Sequence, residues 1–215
     1  MKIFLDTAET DIVRKHFKTG LIDGLTTNPT LIRKSGRNHE EVYQELKDIG
    51  ITDISMEVIG DTGNMVSEGK RLYKKFGKVA TIKVPCTPNG LAACAHLSVE
   101  GIRVNVTLIF SVAQAILATK AGASYISPFV GRLDDNSASG VELVAKISAL
   151  YQQRMVTKTE VLAASLRDVH SVADCFAVGA DIVTMPPAVF EKMYNHILTD
   201  KGLDQFDKDY AASII

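Results

Sequence analysis

Short apolar runs rich in β-branched residues recur along the chain, and longer stretches of helical period lie between them. The runs predict strands at Lys2–Asp6, Gly24–Asn28, Ile54–Ile59, Val79–Pro85, Arg103–Ile109, Tyr125–Val130, Glu160–Ser165 and Ile182–Met185. Between them, Ile12, Val13, His16 and Phe17 share one helical face. Val42, Leu46 and Ile49 share another, and Leu143, Val144, Ile147 and Leu150 a longer one. Gly77, Gly101, Gly122 and Gly179 stand near predicted helix ends, where the chain turns with positive φ. Strand–helix alternation implies parallel strands joined by crossovers. Eight such units predict an α/β chain forming a closed (β/α)8 barrel, for which 215 residues is near the short limit. The alternative is an open doubly wound sheet, which usually carries a Gly-rich phosphate turn after its first strand. Here the first strand runs into Asp6-Thr7-Ala8-Glu9, so the barrel is favoured. Residues 1–215 read as a single domain. Its tail, about 200–215, has Phe206 and Tyr210 one helical turn apart, a helix to dock on this subunit or on a neighbour.

Polar residues interrupt these apolar runs. Lys83 lies in Val79-Ala80-Thr81-Ile82-Lys83-Val84-Pro85, where an ammonium meets a low dielectric that disfavours its charge. A neutral amine is a carbonyl nucleophile; the plainer reading is a strand-end lysine reaching out to water. In a barrel, alternate side chains enter the lumen. The parity that turns Lys83 inward also projects Asp6, Asn28, Glu57, Arg103, Asn105, Thr107, Ser127, Phe129 and Ser165 from other strands. Most lie toward C-terminal strand ends, where barrel active sites are built. Such groups suit one chemistry. An amine attacks a ketone, dehydration gives an iminium ion, and a carboxylate such as Asp6 or Glu57 takes the proton that lets a neighbouring C–C bond break. Glu57 with Thr107 makes a second acid with a hydroxyl partner for handling water. Asn28 and Asn105 suit sugar hydroxyls. Arg132 and Arg167 follow strand ends on the same face, and guanidinium forks match phosphate.

Composition narrows the field. The chain is 46% hydrophobic and 23% charged, with net charge −1 from 24 Lys+Arg against 25 Asp+Glu, which argues against nucleic-acid binding by bulk positive charge. Three cysteines without a C-x-x-C spacing fit reduced thiols and a cytoplasmic setting. The five histidines form no metal-ligand spacing, and neither a metal nor another cofactor is expected. No apolar run approaches the roughly 20 residues of a membrane span, and the N-terminus reaches Asp6 too early for a signal peptide.

Several segments carry a specific resemblance. They are Phe4-Leu5-Asp6-Thr7-Ala8, Gly24-Leu25-Thr26-Thr27-Asn28-Pro29-Thr30, Ile82-Lys83-Val84-Pro85, Asn105-Val106-Thr107-Leu108-Ile109-Phe110-Ser111, Ile126-Ser127-Pro128-Phe129-Val130-Gly131-Arg132 and Ala163-Ala164-Ser165-Leu166-Arg167. Over nearly the whole chain they resemble the short subfamily of the transaldolases, which includes the fructose-6-phosphate aldolases. The resemblance implies a (β/α)8 barrel and metal-free class I aldolase chemistry on sugar phosphates, in the pentose phosphate pathway. It makes Lys83 the Schiff-base lysine, Asp6 the acid/base at the cleaved bond, and Glu57 with Thr107 the pair on the catalytic water. Asn28, Asn105 and Ser127 would hold the dihydroxyacetone unit, and Arg132, Ser165 and Arg167 the phosphate. It also implies a homo-oligomer, a ring of five or a stacked ten, with the C-terminal helix reaching a neighbour. Transaldolases of this subfamily resemble the chain in carrying Glu at position 57 and Phe at position 129, whereas the aldolases typically carry Gln and Tyr. Cys86 and Leu166 depart from the residues common at their positions, which leaves the shape of the pocket open. Transfer of dihydroxyacetone is therefore the expected activity. The alternatives are a lyase releasing free dihydroxyacetone and a non-catalytic sugar-phosphate binding protein.

Overall fold

The computed structural model describes residues 1–213; of the tail, residues 214 and 215 lie outside the described part. Eight parallel strands close in sequence order into a barrel, with β1 pairing both β2 and β8. They are β1 (Lys2–Asp6), β2 (Gly24–Thr26), β3 (Ile54–Glu57), β4 (Ala80–Pro85), β5 (Val104–Ile109), β6 (Tyr125–Pro128), β7 (Glu160–Ala163) and β8 (Ile182–Met185). All eight predicted runs form strands, several of them ending earlier than predicted. The helices are α1 (Thr10–Phe17), α2 (Pro29–Ser35), α3 (His39–Ile49), α4 (Thr62–Phe76), α5 (Pro88–Val99), α6 (Val112–Lys120), α7 (Val130–Asp134), α8 (Gly140–Gln153), α9 (Val169–Ala177), α10 (Pro187–Lys192) and α11 (Ile197–Ser213). Many start just beyond a strand, on a polar cap. The side chains of Asn28, Asp61, Thr87, Ser111, Ser139 and Asp168 each accept an amide from the first turn of the following helix. All but Ser139, which caps α8 after α7, fix where a strand's C-terminal end gives way to helix, each cap typically contributing about 1 kcal/mol.

Alternation along the strands divides the interior. Leu5, Leu25, Met56, Ile82, Val84, Val106, Ile126 and Val183 are fully buried among the apolar side chains between barrel and helices. Phe4, Tyr125, Leu162, Ala164 and Ile182 form a separate apolar cluster inside the lumen. Gly24 makes room for it: a β-carbon there would sit 2.6 Å from the Phe4 ring. Phe4 meets Tyr125 edge to face, with ring centroids 6.3 Å apart. This apolar plug separates the polar groups at the two ends of the lumen. The closing helix α11 has no buried residue; Phe206 and Tyr210 are each 70% exposed. Among the described residues no helix is long and apolar enough to cross a membrane.

Candidate active site

Neighbouring strands bring a carboxylate, the lysine and an amide together by register. Glu57 on β3 pairs with Lys83 on β4, and Lys83 with Asn105 on β5. Side chains at paired positions share a face, so all three point into the lumen. Lys83 Nζ lies 3.0 Å from Glu57 Oε2, and it donates a hydrogen bond of 3.0 Å to the carbonyl of Thr27. Only 6% of the Lys83 side chain and 13% of that of Glu57 are exposed. Lys83 thus has a carboxylate from the neighbouring strand, one of the two that shared its parity, and a backbone carbonyl as partners. A buried pair of this kind adds little net stability, because desolvation offsets much of the attraction.

Lys83 opens on a cavity at the C-terminal end of the barrel, enclosing about 450 Å³ with its open mouth included. Asp6, Thr26 and Thr184 form one wall. Asp6 Oδ1 accepts from Thr26 Oγ1 at 2.7 Å, and the Thr26 and Thr184 hydroxyls lie 2.7 Å apart. Burial raises the Asp6 carboxyl above the usual aspartate range, against the lowering influence of the Lys83 charge and the Thr26 hydrogen bond. A carboxylate held this way is a stronger base. Opposite stand Thr107, Ser127 and Phe129, with Arg132 and Ser165 at the mouth. Thr107 Oγ1 is buried and has no hydrogen-bond partner among the described residues. A lone buried hydroxyl typically costs about 1–3 kcal/mol, so its capacity to bond is directed at whatever enters the cavity.

The remaining expected residues take other places. Asn28 lines the cavity, but its Oδ1 caps α2 by accepting from Leu31 N at 3.0 Å, which leaves its amide donors for a ligand. Asn105 lies beneath the floor. It donates to Ser55 Oγ at 3.1 Å and accepts from Ser127 Oγ at 2.8 Å, so it orients Ser127. Arg167 stands outside the cavity lining, ion-paired with Asp135 and half exposed. Its side chain packs close to Gly131, where a β-carbon would come within 2.9 Å of its Nε and 2.4 Å of the Ser165 carbonyl. Gly131 therefore lets the chain after β6 approach the chain after β7. Ser165 takes φ +62°, a costly conformation for a residue with a β-carbon, found beside the cavity rather than in a surface turn.

Thr26 and Thr184 were not among the expected residues. Inward parity on β2 and β8 was the signal that picks both. Arg103, which shares that parity on the β5 run, lies at the opposite end of the lumen, bound to Asp53 Oδ2 at 2.5 Å. Among the described residues no group of three or more His, Cys, Asp or Glu is placed to hold a metal ion.

Known proteins resemble this chain over nearly its whole length. The sequence model of the family described as transaldolase/fructose-6-phosphate aldolase matches residues 3–214. A probable transaldolase of Caulobacter vibrioides is 51% identical over 214 residues, covering 99% of this chain and 98% of the relative. One of Paracoccus denitrificans is 50% identical over 212 residues, covering 98% and 97%. One from Nitrosopumilus maritimus is 48% identical over 211 residues, covering 98% and 95%. A solved structure of a flavocytochrome b2 mutant with benzoylformate superposes with a TM-score of 0.64 over 89% of this chain and 58% of that one; at 14% identity the likeness is one of fold alone. The chain belongs to the transaldolase/fructose-6-phosphate aldolase family.

Proposed function

We propose that the protein is a transaldolase that carries a dihydroxyacetone unit on Lys83. The observation that carries this reading is a buried lysine, 3.0 Å from one carboxylate and in the same lumen as a second whose carboxyl is raised by burial. Glu57 takes the proton from Lys83, and the amine attacks the ketone of sedoheptulose 7-phosphate or fructose 6-phosphate. Water leaves the carbinolamine, with Glu57 and the unpartnered Thr107 hydroxyl handling it. Asp6 then takes the proton of the hydroxyl beside the bond that breaks. The aldose phosphate departs, and the electron pair stays in the enamine on Lys83. An acceptor aldose phosphate enters, and the steps run in reverse. Asn28 and Ser127 hold the dihydroxyacetone hydroxyls, with Asn105 fixing Ser127. Arg132 and Ser165 bind the phosphate, and Arg167 joins them by exchanging Asp135 for it.

Glu57 and Phe129 favour transfer over release, because they match the transferase members at the two positions where the subfamily divides. The phenyl ring of Phe129 offers the enamine no hydroxyl at the position where a tyrosine could supply a proton. The same reading places the chain in the cytoplasm, in the pentose phosphate pathway, as a homo-oligomer of five or ten subunits with the exposed face of α11 against a neighbour. The test is to supply fructose 6-phosphate with and without erythrose 4-phosphate and to assay products. Sedoheptulose phosphate formed only with the acceptor, with little free dihydroxyacetone, is the expected result. Rapid free dihydroxyacetone without acceptor would make the protein a lyase.

A further inference from the structure

β5 reverses its alternation before it ends. Val104 and Val106 pack in the outer core, while Asn105 and Thr107 face the lumen. Strict alternation would send Ile109 inward after Thr107. Instead Ile109 is fully buried in the outer core with Val104 and Val106. Leu108 takes φ +61°, and the pairing of β5 with β6 shifts between Val106 and Ile109. A leucine held in the left-handed region costs about 1–2 kcal/mol, and irregularities of this kind next to active sites re-aim a side chain.

The re-aimed side chain is Phe110. Its ring meets Phe129 with centroids 5.8 Å apart and planes at 62°. The Phe129 amide donates to the Ile109 carbonyl at 3.0 Å, so the end of β5 grips Phe129 by backbone and by ring. Phe129 in turn lies under Arg132, whose guanidinium carbon is 4.8 Å from the ring centroid. Gln114 Oε1 accepts from the Phe110 amide at 2.8 Å and holds the segment in place. Phe110 itself does not line the cavity and remains 37% exposed, so burial does not account for an aromatic side chain there. We propose that Phe110 is a positioning residue for the wall made by Phe129 and Arg132, and that this wall keeps water from the enamine on Lys83. The proposal rests on the transaldolase reading. Water that reaches the intermediate protonates the enamine carbon to give an iminium ion. It then adds to the iminium carbon, and the bond to Lys83 breaks, releasing free dihydroxyacetone and the free amine.

The test compares Phe110→Ala and Phe110→Trp with the parent protein. Three quantities are read: the Lys83 adduct trapped by borohydride from fructose 6-phosphate, the ratio of free to transferred dihydroxyacetone, and KM against kcat for the ketose phosphate. Phe110→Ala should keep the adduct, raise the release ratio and raise KM, each about two- to tenfold, the size an edge-to-face aromatic contact supports. Phe110→Trp, which restores an aromatic edge, should return both toward the parent values. An unchanged ratio and KM in Phe110→Ala would overturn the proposal, as would equal impairment in both variants. Loss of the adduct in the parent protein would instead remove the transaldolase reading.

Discussion

The two ends of the barrel lumen carry similar residues and differ in how completely those residues are satisfied. At the N-terminal end Asp53 accepts from Thr81 at 2.7 Å, from Arg103 at 2.5 Å and from Tyr125 at 2.6 Å. Arg103 gives a further bond of 2.5 Å to the Lys78 carbonyl. Each of these groups has partners within the fold, and the cluster closes that end. At the C-terminal end Lys83 and Glu57 are paired, but Asp6 is buried enough to resist ionisation and Thr107 has no partner among the described residues. A polar residue inside a barrel strand is thus no sign of function by itself. Unspent hydrogen-bonding and proton-binding capacity beside a cavity is the sign, because the fold bears its cost without using it.

The same substitution made at both ends should therefore act in opposite ways. Asp6→Asn keeps an oxygen for the Thr26 hydroxyl and removes the base, so turnover should fall about 10²–10⁴-fold. Stability should rise. The Asp6 carboxyl is raised in the folded state, so ionisation opposes folding above the unfolded aspartate range, near pH 4. The gain should grow as the pH rises above that range and vanish as it falls below it, which thermal melts across pH will show. Asp53→Asn should do the reverse, losing about 2–3 kcal/mol of stability by stranding Arg103 and Tyr125 while leaving the rate of the folded enzyme unchanged. Equal stability losses at both ends would break the comparison.

Thr107→Val and Thr81→Val form a finer pair. Removing the unpartnered Thr107 hydroxyl should leave stability unchanged or slightly higher and slow the dehydration step. Removing the Thr81 hydroxyl takes a donor from Asp53 and should cost about 1 kcal/mol in denaturant titrations, with no change in rate. A destabilised Thr107→Val would mean that its hydroxyl is already satisfied.

Strand identity and order were legible because apolar runs and helical stretches alternate strongly. The C-terminal strand ends were not. The β2 run was read to Asn28, yet Asn28 caps α2, a helix the periodicity left unmarked. The β6 run was read to Val130, which opens α7. These ends peel away from the sheet because they carry the site, and local propensity cannot report that. Parity located Lys83, Glu57, Asp6 and Thr107, since period-2 alternation survives in the strands themselves. It failed for Phe110, because a leucine forced to positive φ leaves no signature in sequence. It could not foresee the Asp135 ion pair that holds Arg167 outside the cavity, a contact between loops from different strands. Parity gave Arg103 the same face as Lys83, and only its place at the start of its run sets it at the opposite end, where it binds Asp53.

The central claim is that Lys83 captures the ketose covalently. Incubation with fructose 6-phosphate, reduction with borohydride and peptide mass analysis test it most directly. A reduced sugar-derived adduct on the peptide containing Lys83, absent in Lys83→Met, is the predicted result. No adduct, or an adduct on another lysine that persists in Lys83→Met, would contradict it.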